Sequence, residues 1–219
     1  MSEKYGLTAA AVLSFGLATT LPGVSLAADK ITISYQPAMY WALPLHFASE
    51  KGWWGDVGLA PEFVTFPAGA PQIAAGSSGS WDVGITGAVP AVLGASRFDI
   101  ETIGIANDES RTNALVVSGD GADAILADPT QIKGQQILLT TNSTARKCLE
   151  KFGVDFGDVS FVNLGQAQII TAISSGNGTV AGVWAPNLYT LEDKVQAKPL
   201  CSGADAGAMV PSLLIATQS

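Results

Sequence analysis

The stretch ETIGIANDESRTNALVV, residues 101–117, joins two apolar runs through seven polar residues, Asn107-Asp108-Glu109-Ser110-Arg111-Thr112-Asn113. Runs rich in Ile, Thr and Val read as strands, and a polar run of this kind lies where the chain leaves one buried layer for another. The reading is a crossing between two separately buried sheets. An ordinary surface loop within one sheet is the alternative.

Outward from that crossing, strands and helices alternate on both sides. Toward the N-terminus, strands are expected over 31–36, 63–66, 82–86 and 101–106, with helices over 38–51, 71–76 and 89–97. Toward the C-terminus, strands are expected over 114–117, 136–140, 160–164, 180–184 and 213–217, with helices over 143–152 and 166–174. This is the pattern of βαβ units and predicts an α/β fold with mainly parallel sheets. The expected organisation is a first lobe over 28–107, a second over 108–208, and a segment over 209–219 that returns toward the first.

Residues 1–27 read as a secretory leader. Lys4 precedes an uncharged apolar run from Leu7 to Leu21, and Ser25 and Ala27 are the small residues that suit cleavage after Ala27. The run is short of the about 20 residues a membrane span needs, and Pro22-Gly23 breaks a helix, which disfavours the alternative of an anchor. A periplasmic or secreted protein is therefore expected.

The 219 residues carry 11 basic and 19 acidic side chains and one His, a formal charge of −8. That balance disfavours nucleic acid as a partner, which needs a phosphate-neutralising surface. At 47% hydrophobic and 14% charged, the chain is too apolar for disorder. One His and two Cys cannot build a four-ligand zinc site of thiolates and imidazoles, and no phosphate loop or G-x-G-x-x-G is present, so no cofactor is expected. Cys148 and Cys201 either bridge, as an exported chain permits, or are two separate buried thiols.

Two strand-to-helix turns carry the candidate chemistry. Leu138-Leu139-Thr140-Thr141-Asn142-Ser143-Thr144-Ala145-Arg146 runs from a strand into a helix, where unpaired N–H groups, the helix dipole and hydroxyl donors suit an anion. Simple capping by Asn142 or Ser143 is the plainer alternative. Asp82-Val83-Gly84-Ile85-Thr86-Gly87-Ala88-Val89-Pro90 repeats the arrangement, with Gly87 allowing close backbone approach or simply making a tight turn. Facing each other at strand ends, the two turns would meet a ligand where open α/β sheets bind one. Gln36, Tyr40, Trp41 and Trp184 are candidates for its walls, while Trp53, Trp54 and Trp81 are assigned to packing. His46 is expected to pack on a helix, and no G-x-S-x-G elbow exists for hydrolysis.

In order and spacing, Ser34-Tyr35-Gln36, Phe66-Pro67-Ala68-Gly69, Trp81 through Gly87 with Pro90, Asn113-Ala114-Leu115-Val116-Val117, Ser143-Thr144-Ala145, Val162-Asn163-Leu164 and Val183-Trp184-Ala185-Pro186 resemble the solute-binding component of ABC importers of the nitrate, sulfonate and taurine class. The resemblance implies a two-lobed periplasmic-binding fold of type II. It also implies a monomer that captures a small anionic ligand and delivers it to an ABC permease, without catalysis. By position it brings Gln36, Trp41, Thr86, Gly87, Asn113, Ser143, Thr144, Ala145 and Trp184 to the ligand. Members of that class continue through further helices, so a fold shortened at its C-terminus is expected. A ligand ammonium would need a carboxylate, and Asn113 and Leu213-Leu214 offer none, which favours a simple sulfonate. Relatives of the fold include pyrimidine synthases of thiamine biosynthesis, but their cysteine-rich, iron-associated run is missing here. A non-functional fragment is the remaining reading.

Overall fold

The computed structural model describes residues 27–140 and 143–218. The expected leader over 1–27, apart from Ala27, and the candidate cap Asn142 lie outside the described residues.

In chain order the elements are β1 (Asp29–Tyr35), α1 (Met39–Glu50), α2 (Trp53–Asp56), β2 (Leu59–Thr65), α3 (Gly69–Gly76), β3 (Val83–Gly87), α4 (Ala88–Arg97) and β4 (Ile100–Asp108). After a short connection come β5 (Asn113–Val117), α5 (Ala122–Ala127), β6 (Gln136–Leu139), α6 (Ser143–Phe152), β7 (Ser160–Asn163), α7 (Gln166–Ser174), β8 (Val180–Trp184), α8 (Asn187–Val195), β9 (Lys198–Ser202) and β10 (Pro211–Thr217).

These strands form two five-stranded sheets, ordered β2-β1-β3-β10-β4 and β7-β6-β8-β5-β9. The two orders are one pattern used twice. In each, three strands pair in parallel and a fourth, β10 or β5, runs antiparallel to both of its neighbours. The expectation of mainly parallel sheets holds, with four of five strands in each running the same way and one reversed. Sequence periodicity carries no information about which distant strand slips in reversed.

Burial follows strand position. Every residue of β5 is buried, and its side chains alternate by the strand period of two. Leu115 and Val117 enter a core with Ile125, Ile137, Cys148 and Leu149, while Ala114 and Val116 enter another with Ile169, Ile173, Leu188 and Leu191. The second sheet is therefore sandwiched between α5–α6 and α7–α8. On α6, Thr144, Ala145, Cys148 and Leu149 are buried while Arg146, Lys147, Glu150 and Lys151 face out, the one-sided stripe of a surface helix. Cys148 is disulfide-bonded to Cys201 on β9, with their Cα atoms 6.0 Å apart.

The first sheet has smaller cores, one around Ile73, Trp81, Ala91, Ile100 and Ile215, the other around Ala38, Trp41 and Ile85. Trp81 packs as expected, but Trp53 is 56% exposed. His46, expected to be packed, is exposed on α1, a helix that buries only Trp41. An all-round apolar sequence such as that of α1 gives no period from which to read its inner face.

The chain passes between the sheets twice, from β4 to β5 and from β9 to β10, and the two passages are tied together. Glu109 N–H donates to Val210 O (2.8 Å), Ala204 N–H to Ser110 O (2.9 Å) and Gly203 N–H to Asn113 O (3.0 Å). The Asp108 carboxylate accepts from Ser110 N–H (3.0 Å) and Val210 N–H (3.1 Å), which holds it below the usual carboxylate range.

Candidate functional site

The carboxyl ends of β1, β3, β6 and β8 open on one cleft of about 290 Å³. Its floor is the double passage, through Glu109 and the 209–211 stretch. This is where the parallel strands of an α/β sheet leave their last carbonyls and the following helices begin.

On the first-sheet side, the N-termini of α3 and α4 both reach the cleft, through Gly69-Ala70 and Ala88-Val89. Neither helix has a side-chain cap: the N-cap positions are Ala68 and Gly87, so the first-turn N–H groups are not claimed by a cap. Gly69 permits this convergence. A Cβ there would lie 2.2 Å from Pro90 Cγ and 3.1 Å from Thr86 Oγ1, so no larger residue fits without pushing the two helix ends apart.

Beneath them lies a buried polar chain. Gln36 Nε2 donates to Thr86 Oγ1 (3.2 Å) and to Gln72 Oε1, and Gln72 Nε2 donates to Ser34 Oγ (2.8 Å) and Ile85 O (3.2 Å). The amide hydrogens of Gln36 are thus committed to the protein. Gln36 lines the cleft, whereas Thr86 is wholly buried under it.

A second network crosses the cleft floor around Glu109, which is only 5% exposed. Trp41 Nε1 donates to Ser212 Oγ (2.6 Å), and Ser212 Oγ donates in turn to Glu109 Oε1. Tyr40 O–H (3.0 Å) and Asn113 Nδ2 (3.0 Å) converge on Glu109 Oε2, with Ala185 O 3.4 Å from the same phenol oxygen. Burial pushes the Glu109 carboxyl up, against the opposing pull of the Ser212, Asn113 and Tyr40 donors. Burial, then the Glu109 charge, raises the Tyr40 phenol far above its ordinary range, so it stays a proton donor.

Of the residues singled out by sequence, the structure brings Gln36, Trp41, Gly87, Asn113 and Trp184 to the cleft wall. Asn113 and Trp184 are direct cross-strand partners. From the other candidate turn, the described lining residue is Thr140; Thr144 and Ala145 are each 1% exposed inside the second lobe, and the Ser143 side chain lies outside the description. Arg146 points away, pairing with Glu150 at 3.6 Å and covering the Phe156 ring at 5.2 Å. Sequence reading missed Glu109, taken only as part of a polar connection. The expectation that no carboxylate is available near Asn113 is corrected: Glu109 stands beside it. Its position four residues before a wholly buried strand was the available signal.

Two sheets of this order, doubly connected and facing one cleft, define a two-lobed periplasmic-binding-protein fold of type II. The chain belongs to the NMT1/THI5 like family, whose sequence model matches residues 42–219. It is 28% identical over 190 residues to a binding protein of Brucella abortus (strain 2308), covering 84% of this chain and 57% of that one. With the taurine-binding periplasmic protein of Escherichia coli (strain K12) it shares 29% identity over 174 residues, 75% of this chain and 51% of that one. This chain thus spans little more than half the length of these relatives. The alkanesulfonate-binding protein of Xanthomonas axonopodis pv. citri superposes with a TM-score of 0.71 at 21% identity, over 89% of this chain and 67% of that one.

Proposed function

We propose that the protein is the extracytoplasmic solute-binding component of an ABC importer. It captures a small anionic solute, such as an aliphatic sulfonate, taurine or nitrate, and passes it to a membrane permease. It works as a monomer in the periplasm or outside the cell after cleavage near Ala27, performs no chemistry and uses no cofactor. Its lobes are residues 28–107 and 108–208, with 209–219 rejoining the first.

The observation that supports this reading is the meeting of the α3 and α4 N-termini, uncapped by side chains, at one end of an interlobe cleft. Each terminus carries about half a positive charge in N–H groups that suit an oxyanion. The protein's net charge opposes this only weakly, because it is screened beyond about 8–10 Å. The tied passages at 109–112 and 203–210 are the natural hinge for closing the lobes over a ligand. Both cysteines are consumed in one bond, so neither thiol is free to act as nucleophile or iron ligand.

Titration calorimetry against sulfonates, taurine and nitrate, with small-angle scattering to follow closure, tests the proposal. Micromolar binding with a smaller radius of gyration is the expected result. A protein that melts cooperatively yet binds no member of the panel excludes it.

A further inference from the structure

The α3 and α4 termini bring partial positive charge to one end of the cleft, but among the described residues no cationic side chain lines it. Among the described residues that line it, Glu109 is the only ionisable side chain. None of the four ion pairs among the described residues includes it, and the donors that meet its oxygens, Ser212, Tyr40 and Asn113, are all neutral.

These hydrogen bonds equip the site to hold Glu109 in its ionised form. An indole N–H can only donate, so the Ser212 hydroxyl accepts from Trp41 and turns its own proton toward Glu109 Oε1. The Asn113 amide faces two acceptors, Glu109 Oε2 and the Glu109 carbonyl oxygen at 3.4 Å, which sets its NH₂ toward them. Tyr40 likewise has only acceptors within reach, Glu109 Oε2 and Ala185 O. Three donors aimed at one carboxyl group serve the ionised form. Yet a buried carboxylate with neutral partners alone lacks the opposite charge that such groups ordinarily have.

We infer that Glu109 is the recognition point for a positively charged nitrogen on the bound solute, so that the cleft selects a compact zwitterion, an aminoalkanesulfonate or a similar amino acid, over a simple anion. This rests on the solute-binding reading above and narrows its substrate class. The anionic end lies at the helix termini of the first lobe and the ammonium lies on the cleft floor, against a carboxylate already oriented by Trp41, Ser212, Tyr40 and Asn113. Orientation by these four residues leaves little rotamer freedom for Glu109 to lose on binding, and a charge-assisted contact in so dry a place is stronger than one in water. A simple sulfonate of the same size leaves the carboxylate uncompensated and adds a second negative charge to one cleft.

The test uses three matched probes on the intact protein: 2-aminoethanesulfonate, 2-hydroxyethanesulfonate and ethanesulfonate, titrated calorimetrically into the natural protein and into Glu109→Gln and Glu109→Asp. The natural protein is expected to bind the amine at least about ten-fold more tightly than either of the others. Glu109→Gln, checked for a cooperative melt, is expected to lose that preference to within about three-fold, while Glu109→Asp keeps its sense. Ethanesulfonate binding as tightly as the amine, or an undiminished preference in Glu109→Gln, overturns the Glu109 assignment and leaves solute binding standing. Failure of a folded natural protein to bind any of the three overturns the assignment together with sulfonate capture.

Discussion

The two lobes share a strand order but not a degree of enclosure. In the second, the central strands β5 and β8 are covered on both faces, and its large exposed apolar side chains are Phe156 and Tyr189. In the first, β4 is buried mainly at Ile100, with Ile103 58% and Ile105 68% exposed, and Met39, Phe47, Phe63 and Val92 also face out. Topology is therefore set by pairing and connection, whereas stability is set by what lies on the faces of the sheet. The comparison predicts that the second lobe is the rigid body and the first is the one that opens locally. In amide exchange, β5 and β8 should be protected to the global limit, while β2 and β4 exchange through smaller openings.

The largest expected effect sharpens that contrast. Removing the Cys148–Cys201 bond, which closes a 53-residue separation, should cost about 4 kcal/mol by the chain-entropy estimate. Urea melts of Cys148→Ala/Cys201→Ala should show the loss, and exchange should place it in α6 and β9. Next comes Leu115→Ala, which empties a wholly buried site on β5 and should cost about 2–5 kcal/mol by the same melts. Gly69→Val sets side-chain atoms against Pro90 and should cost about 1–3 kcal/mol while weakening solute binding, because the α3 and α4 termini must separate. A melt that falls with unchanged binding would break the link between that close approach and the cleft.

A smaller effect concerns the joint between the lobes. Burial raises the Glu109 pKa above its ordinary value, so in the window between them the folded protein holds a proton that the unfolded chain has released. Stability should therefore fall as pH rises from the ordinary glutamate range through the raised value, then level off. Glu109→Gln should flatten that slope in a series of thermal melts, and an unchanged slope would assign it elsewhere. Smallest of all, Ile103→Thr or Ile105→Thr should change stability by no more than about 0.5 kcal/mol, since both side chains face outward, but should reduce binding of an apolar dye. If either cost as much as Leu115→Ala, the contrast between the lobes would be wrong.

Much of this was legible in the sequence where period and caps were strong. The ranges 143–152, 166–174 and 180–184 correspond to α6, α7 and β8. Edge strands were harder. Strand β2 was read only from Phe63 and β9 not at all, because Pro61 and Pro199 interrupt them, yet an edge strand tolerates a residue without an N–H. Helix α8 was missed because it follows Pro186 and mixes Asn, Thr and charges with only Leu188 and Leu191 wholly inward. At the cleft, turn chemistry pointed to Thr86-Gly87, and Trp184 was found from the strand it ends. Glu109 escaped because its meaning comes from Tyr40, Trp41 and Ser212, up to 103 positions away, which no local pattern brings together.

The reversed strand of each sheet has an unequal origin. All five strands of the second sheet lie within residues 113–202, one uninterrupted span, while the first sheet must wait for β10 to be inserted between β3 and β4. During synthesis the inner lobe can finish before the outer one has all its parts. Excision of that span should yield a self-sufficient domain, whereas no one continuous span contains the other alone.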